Sequence, residues 1–167
     1  MVYESVRMSG KDVIRLIVAC GASLCAGLVG SLVMVDEGFR PWYSSLEKPA
    51  FTPPGWLFGP VWTILYILIG VAAFLVWRKG LRSRPVKVAL GWFLVQFVLN
   101  ALWTPVFFGW RRIGLALVII VLLWAAIIGT IRYFSRVSRL AGLLLVPYLL
   151  WVSFATVLNA AIWWLNR

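Results

Sequence analysis

The chain has 167 residues, 63% hydrophobic and 13% charged, with a formal net charge of +11. A soluble domain of this length needs far more polar surface, so residues 1–167 read as one integral membrane domain. Histidine is absent and the five acids all precede Pro49, which excludes the usual general bases, metal ligands and axial haem ligand, and leaves the later spans without carboxylates for proton relays.

Residues 1–12 are a short polar lead. Residues 13–35 form the first span, long enough at about 1.5 Å per residue to cross a hydrocarbon core of about 30 Å. Ala22, Ala26 and Gly30 repeat every fourth residue, and Gly27 with Ser31 adds a second such pair. Small residues at that spacing let helices approach closely, within the bundle or between two copies. Cys20 and Cys25 point about 140° apart on one helix, so they do not pair and read as small buried apolar residues. Ile17, Val18, Ala19 and Cys20 resemble a lipoprotein cleavage site, but Arg15 interrupts the apolar run before them and the run continues to Val35. The segment reads as an uncleaved helix.

Residues 36–55 are a long loop rich in Trp and Pro. Pro49, Pro53, Pro54 and Pro60 fix φ and remove donors, so most of residues 42–66 is not ordinary helix. Trp42, Tyr43, Phe51, Trp56 and Phe58 surround Glu47 and Lys48. Two readings follow: a stiff aromatic lid over a helix bundle, or an aromatic belt at the lipid headgroups.

Residues 56–77 are the second span, followed by a basic link at 78–87. Residues 88–108 are the third span and residues 113–131 the fourth. Arg132, Arg136 and Arg139 mark a short turn before the fifth, residues 140–165, which Pro147 kinks. The fold class is therefore an all-α five-transmembrane-helix bundle. Eleven basic residues fall on the amino-terminal side and five on the other. In a bacterial cell membrane this bias makes the amino terminus cytoplasmic; in an organelle outer membrane the rule does not apply cleanly. Arginines flanking apolar spans fit topology and anionic lipid rather than nucleic acid.

Three helical stripes combine aromatic surface with hydrogen-bonding groups. Trp92, Gln96, Asn100, Trp103 and Phe107 share one face of the third span; Tyr148, Trp151, Ala155, Asn159 and Trp163 share one face of the fifth. Trp62 and Tyr66 lie one turn apart on the second, with Thr63 beside them. Each amide alone reads as glue between helices. The stripes together with the lid read as a pocket for a flat conjugated ligand, with Ala155 leaving room.

The residues that carry a family resemblance are now in place. They are W-Y-x-x-L-x-K-P at 42–49, F-T-P-P-G-W-x-F-G-P-V-W-T-x-L-Y at 51–66, N-A-L-W-T-P-V-F-F-G at 100–109 and P-Y-L-x-W-x-x-F-A-T-x-L-N at 147–159. Over residues 13–166 the chain resembles the translocator protein or tryptophan-rich sensory protein family, TspO/MBR. The resemblance implies a homodimeric five-helix receptor or sensor for porphyrins such as protoporphyrin IX and haem, held as ligands and not covalently, and serving tetrapyrrole or stress responses. Sterols and synthetic benzodiazepine-type ligands are also implied. Transport of these ligands and light-dependent porphyrin breakdown are the alternatives. By motif, Tyr43, Pro53, Trp62, Asn100, Trp151 and Ala155 would contact ligand; the stripes add Trp103 and Tyr148. Arg40 and Lys48 would meet propionates at the rim. No residue offers conventional acid, base or nucleophile chemistry, so none is assigned as catalytic on chemistry alone. The resemblance points to Trp62 and Trp151 as the pair that relatives use in porphyrin breakdown. One departure stands out: residues 157–167, VLNAAIWWLNR, lack the Tyr of the sterol-recognition pattern.

Overall fold

The structure is a computed structural model that describes residues 9–32 and 39–167, with side chains at 9–27 and from 41 onward. Gly30, Ser31 and Arg40, each singled out above, have described backbone only, so their side-chain packing lies outside the described residues. All regular structure among the described residues is helical. Helix α1 is Gly10–Leu32, α2 Phe39–Ser45, α3 Gly55–Trp77, α4 Arg84–Thr104, α5 Ile113–Val137, α6 Arg139–Leu144 and α7 Val146–Leu165. Among the described residues four stretches are long and apolar enough to cross a membrane: Gly55–Trp77, Arg84–Gly109, Ile113–Val137 and Arg139–Leu165. With α1 packed along α3 they make a five-helix membrane bundle.

Local chemistry explains where the helices depart from the expected boundaries. Helix α1 begins inside the expected polar lead because Ser9 and Asp12 cap it reciprocally. The Asp12 amide donates to Ser9 Oγ, and the Ser9 amide donates to Asp12 Oδ2, each at 3.3 Å. The long loop contains a helix of its own, the seven-residue α2. Pro60 lies inside α3 as its sixth residue, where it removes one backbone bond of the helix without ending it. Helix α4 gains a turn at its start because Pro85 suits a first-turn position. Arg132 and Arg136 do not lie in a turn: α5 carries both and runs to Val137. The turn narrows to extended Ser138, whose hydroxyl accepts from the Ala141 amide and caps α6. The fifth span does break at Pro147, which sits in the first turn of α7, with α6 ending just before it.

A π-helical turn, Pro105–Gly109, finishes α4. Pro105 lacks the N–H that would continue the α ladder, and the Trp110 amide instead reaches back to the Pro105 carbonyl at 2.8 Å. This turn buries Val106 and Phe107. Arg111, in the left-handed region at φ 57°, then swings the chain into α5.

The core is one apolar seam. Leu65, Ile69, Ala72 and Val76 of α3 meet Ile120, Leu123, Ile127 and Phe134 of α5, with Leu145, Tyr148 and Val152 between them. Large residues on the outer faces, such as Leu94, Val118, Leu122 and Leu150, are exposed, as lipid requires. The small residues of α1 divide. Ala26 is buried and Gly27 receives the Tyr66 ring, but Ala22 faces outward. The buried face is Ala19, Ser23 and Ala26. Cys20 packs half-buried and Cys25 is exposed, so only the first behaves as an interior residue. At the end of the bundle away from the loop, Asp12 pairs with Arg15 at 3.6 Å and Arg78 at 4.0 Å.

The closest helix approach is α1 on α3. A Cβ at Gly70 would lie 2.6 Å from Cys20 Cα and 2.9 Å from its backbone nitrogen. Backbone cannot swing aside as a side chain can. Gly70→Ala should therefore lower stability by about 1–3 kcal/mol through forced separation of the helices. Gly91→Ala, with nothing within 4 Å of the new carbon, should leave the thermal midpoint of the purified protein in detergent unchanged or raised. Equal midpoints for the two variants would refute this account.

Candidate functional site

Three helices bring their polar stripes to one place. On α3, Trp62 stacks on Tyr66 with centroids 5.2 Å apart, and its ring meets Tyr148 edge-on at 6.2 Å. The Tyr66 hydroxyl donates to Asn100 Oδ1 at 3.0 Å. The Asn100 amide donates to the Tyr148 oxygen at 2.8 Å, and the Tyr148 hydroxyl donates to Gln96 Oε1 at 3.1 Å. Four residues from α3, α4 and α7 thus form one chain of hydrogen bonds. Tyr148 is fully buried and Asn100 only 7% exposed. In a membrane interior no water competes for these groups, so each must find a partner within the protein.

A second aromatic group lies above, toward the loop. Trp151 meets Phe58 edge-on at 5.7 Å and Phe154 at 5.7 Å, and Phe51 closes on Phe154 at 6.3 Å. Phe58 sits one turn before Trp62 on α3, so it links the two groups. Ala155 is half-buried beside them. Two buried donors have no partner among the described residues: Gln96 Nε2 and the Trp151 indole nitrogen.

A third group holds the loop end. Trp103 donates its indole N–H to Asn159 Oδ1 at 3.1 Å, and the Asn159 amide donates to the Ile113 carbonyl at 3.1 Å. Asn159 therefore joins α4, α5 and α7 as structural glue. Over this layer Trp42 lies edge-on to Phe107 at 6.0 Å and Tyr43 to Phe108 at 5.7 Å. Asn166 clamps the loop from the far end of the chain. Its Oδ1 accepts from the Glu47 amide at 3.0 Å and its Nδ2 donates to the Glu47 carbonyl at 2.9 Å. Lys48 donates to the Leu46 and Ser44 carbonyls at 2.9 and 3.4 Å and stands 4.9 Å from the Tyr43 ring centre. Burial raises the pKa of the Tyr43 phenol, so that ring stays neutral beside the ammonium.

Set against the sequence, Trp62, Asn100 and Tyr148 share one contact network, and Trp151 and Ala155 line the layer above. Trp103 belongs to the Asn159 layer, Tyr43 to the cover and Pro53 to the half-buried part of the loop. Lys48 is engaged with backbone carbonyls. Trp92 leaves its stripe to stack on Tyr133 of α5 at 5.9 Å, and Trp163 is 39% exposed. The loop divides between the two readings: Trp42, Tyr43, Phe51 and Phe58 cover the bundle, whereas Trp56, 73% exposed, suits a belt. Phe154 and Asn166 escaped sequence reasoning, and Phe58 was read only as one of the aromatics of the lid. Phe154 follows Trp151 by three residues and was readable as its neighbour; nothing local marks Asn166. Two open cavities lie elsewhere, and rings of the chain itself pack around Trp62 and Trp151. Among the described residues no group of three Cys, Asp or Glu side chains could hold a metal.

The comparisons with known proteins agree with this architecture. Residues 17–165 match the sequence profile described as the TspO/MBR family. The chain is 44% identical over 156 residues to the tryptophan-rich protein TspO of Chlorobaculum tepidum, covering 93% of this chain and 98% of that one. It is 42% identical over 156 residues to the tryptophan-rich protein TspO of Archaeoglobus fulgidus, covering 93% and 99%. It is 42% identical over 149 residues to the translocator protein of Homo sapiens, covering 87% and 88%.

Two outcomes follow from the geometry. Asn100→Ala removes the acceptor of Tyr66 and a donor to Tyr148, and should cost about 1–2 kcal/mol in reversible unfolding; Val98→Ala on the lipid face should cost less. Asn166→Ala should speed hydrogen exchange at residues 46–52 by about tenfold, the loss of roughly 1.4 kcal/mol of local protection, while α3 exchange stays unchanged. Wild-type exchange in the loop of that variant would show that the clamp holds nothing.

Proposed function

Since the chain belongs to the TspO/MBR family, we propose that it is a membrane receptor for a flat, conjugated tetrapyrrole, taken up between α3, α4 and α7 beneath the loop. The observation that carries this reading is the unpaired Trp151 indole N–H, buried next to a run of aromatic rings under a covered end. A buried donor without a partner costs about 1–3 kcal/mol, and an acceptor on a ligand would recover it. Phe58, Trp62, Trp151 and Phe154 supply ring faces and edges to a macrocycle at stacking distance. Ala155 is the small residue in their midst.

Because those rings now pack on one another, entry of a macrocycle requires them to rotate and the loop to lift. The loop is held to the bundle by ring edges and the Asn166 clamp, which can break without opening the bundle seam. Porphyrin binding of this kind uses the ring face. The chain has no histidine to ligate iron, so haem and metal-free protoporphyrin should bind with similar strength. Propionates would lie at the loop end, at the rim that Arg40 and Lys48 supply. Sensing fits this arrangement better than transport, because the interior is a packed seam on one side of the site and a removable cover on the other.

Titration with protoporphyrin IX, read by quenching of tryptophan fluorescence, tests the proposal. Trp62→Ala and Trp151→Ala should each weaken binding by about fivefold or more, about 1 kcal/mol per lost stacking partner, and Trp62→Phe should recover part of it. Trp124→Phe, on the outer side of α5, should bind as wild type does. Identical affinities for all four variants would end the assignment.

A further inference from the structure

The link between the π turn and α5 meets the last residues of α7 at the loop end. Together they line an open cavity of about 890 Å³ that carries Arg111, Arg112 and Arg167 beside Trp110, Trp163 and Asn166. No residue proposed to contact the tetrapyrrole lines it. Among the described residues both ion pairs belong to Asp12, at the opposite end, and neither Arg112 nor Arg167 has a carboxylate partner. Glu47, joined to this rim through its backbone, pairs with neither. Guanidiniums that line one cavity draw an anion toward it, and the stacking of Arg167 on the Trp164 ring leaves its N–H edge to meet one. The first turn of α5, Ile113 to Leu115, lines the same cavity, and the residue before it caps none of its amides with a side chain.

The second cavity shows what kind of anion fits. It measures about 250 Å³ and is lined by Val121 and Trp124 of α5 and Ser153 and Thr156 of α7. The first cavity takes Gly114 from α5 and Trp163 from α7. Because α5 and α7 run antiparallel against each other, seven residues down α5 from Gly114 and seven back along α7 from Trp163 lead to Val121 and Thr156. The two cavities thus lie along one α5–α7 groove, about 10 Å apart at about 1.5 Å per residue. The upper part is cationic and flanked by exposed indoles. The lower part is apolar, its one indole fixed by a 2.8 Å bond from Trp124 to Ser153 Oγ.

We propose that this groove seats one anionic phospholipid, with its phosphate among Arg112, Arg167 and the first turn of α5 and an acyl chain running down to Val121 and Trp124. A free oxyanion would need only the upper cavity. Two cavities in line between the same pair of helices, with exposed indoles at the upper one, favour an amphiphile.

Native mass spectrometry of the full chain, released from detergent with equal phosphatidylglycerol and phosphatidylcholine, tests this. Wild type should retain phosphatidylglycerol about fivefold or more over phosphatidylcholine, as expected for one to two basic contacts. Arg112→Gln with Arg167→Gln should bring the ratio near one, and Arg112→Lys with Arg167→Lys should keep it. Arg82→Gln with Arg84→Gln, at the other end of the bundle, should leave it unchanged. Excess glycerol phosphate, the headgroup chemistry without tails, should not strip the lipid. Parity in wild type, loss of preference only in the Arg82 and Arg84 variant, or release by glycerol phosphate would each overturn the proposal.

Discussion

A polar group inside a bilayer has no water to turn to, and the fold is arranged around that constraint. Asn100 is where it is met most directly. Its side chain joins two tyrosines from two other helices, and the chain of donors ends on Gln96. Each of these groups would be costly if it faced lipid. Placed face to face they fix the rotation of α3, α4 and α7 about their own axes, because a turned helix would strand a hydroxyl or an amide. The apolar seam beside them supplies packing but little rotational choice, since one leucine face is much like another to lipid. Helix register in this bundle is thus set by a few amides and phenols, and the aromatic rings follow from it.

The covered end obeys a different rule. There the loop rests on the bundle through ring edges, Lys48 caps the end of α2 within the loop, and Asn166 ties the loop backbone down at Glu47. These contacts lie near water, where a broken hydrogen bond is replaced at little cost. A cover of this kind can leave while the interior stays closed. The proposed ligand site would use this separation between a fixed polar interior and a replaceable cover.

Most of this was legible in the sequence. Period and apolar length placed four spans and the helix before them, and the spacing of Gln96 and Asn100 put them on the buried face they occupy. Boundaries moved where short-range chemistry overrides hydropathy, at the Ser9–Asp12 cap and at Ser138. Trp92 was misplaced because an indole on a helix edge can serve a neighbour as well as a pocket; Gly129 of α5 leaves space beneath it, and that vacancy drew the ring toward Tyr133. The Asn166 clamp joins residues 119 apart, and no local pattern encodes such a pairing. The same holds for the groove between α5 and α7, which exists only once the antiparallel register of two helices is known.

Tryptophan content alone therefore says little about where a ligand would sit, because the eleven indoles do different work. Trp56 and Trp110 are exposed at the loop end and read as interfacial anchors. Trp103 and Trp124 each give their N–H to a partner on α7 and so act as cross-helix ties. Trp62 is stacked within the polar network. Trp151 alone among the described residues buries its indole nitrogen with nothing to receive the proton. A tie has spent its donor; an anchor can give it to water. An indole that has done neither, half-buried among rings at the covered end, is the one that the proposed ligand would complete.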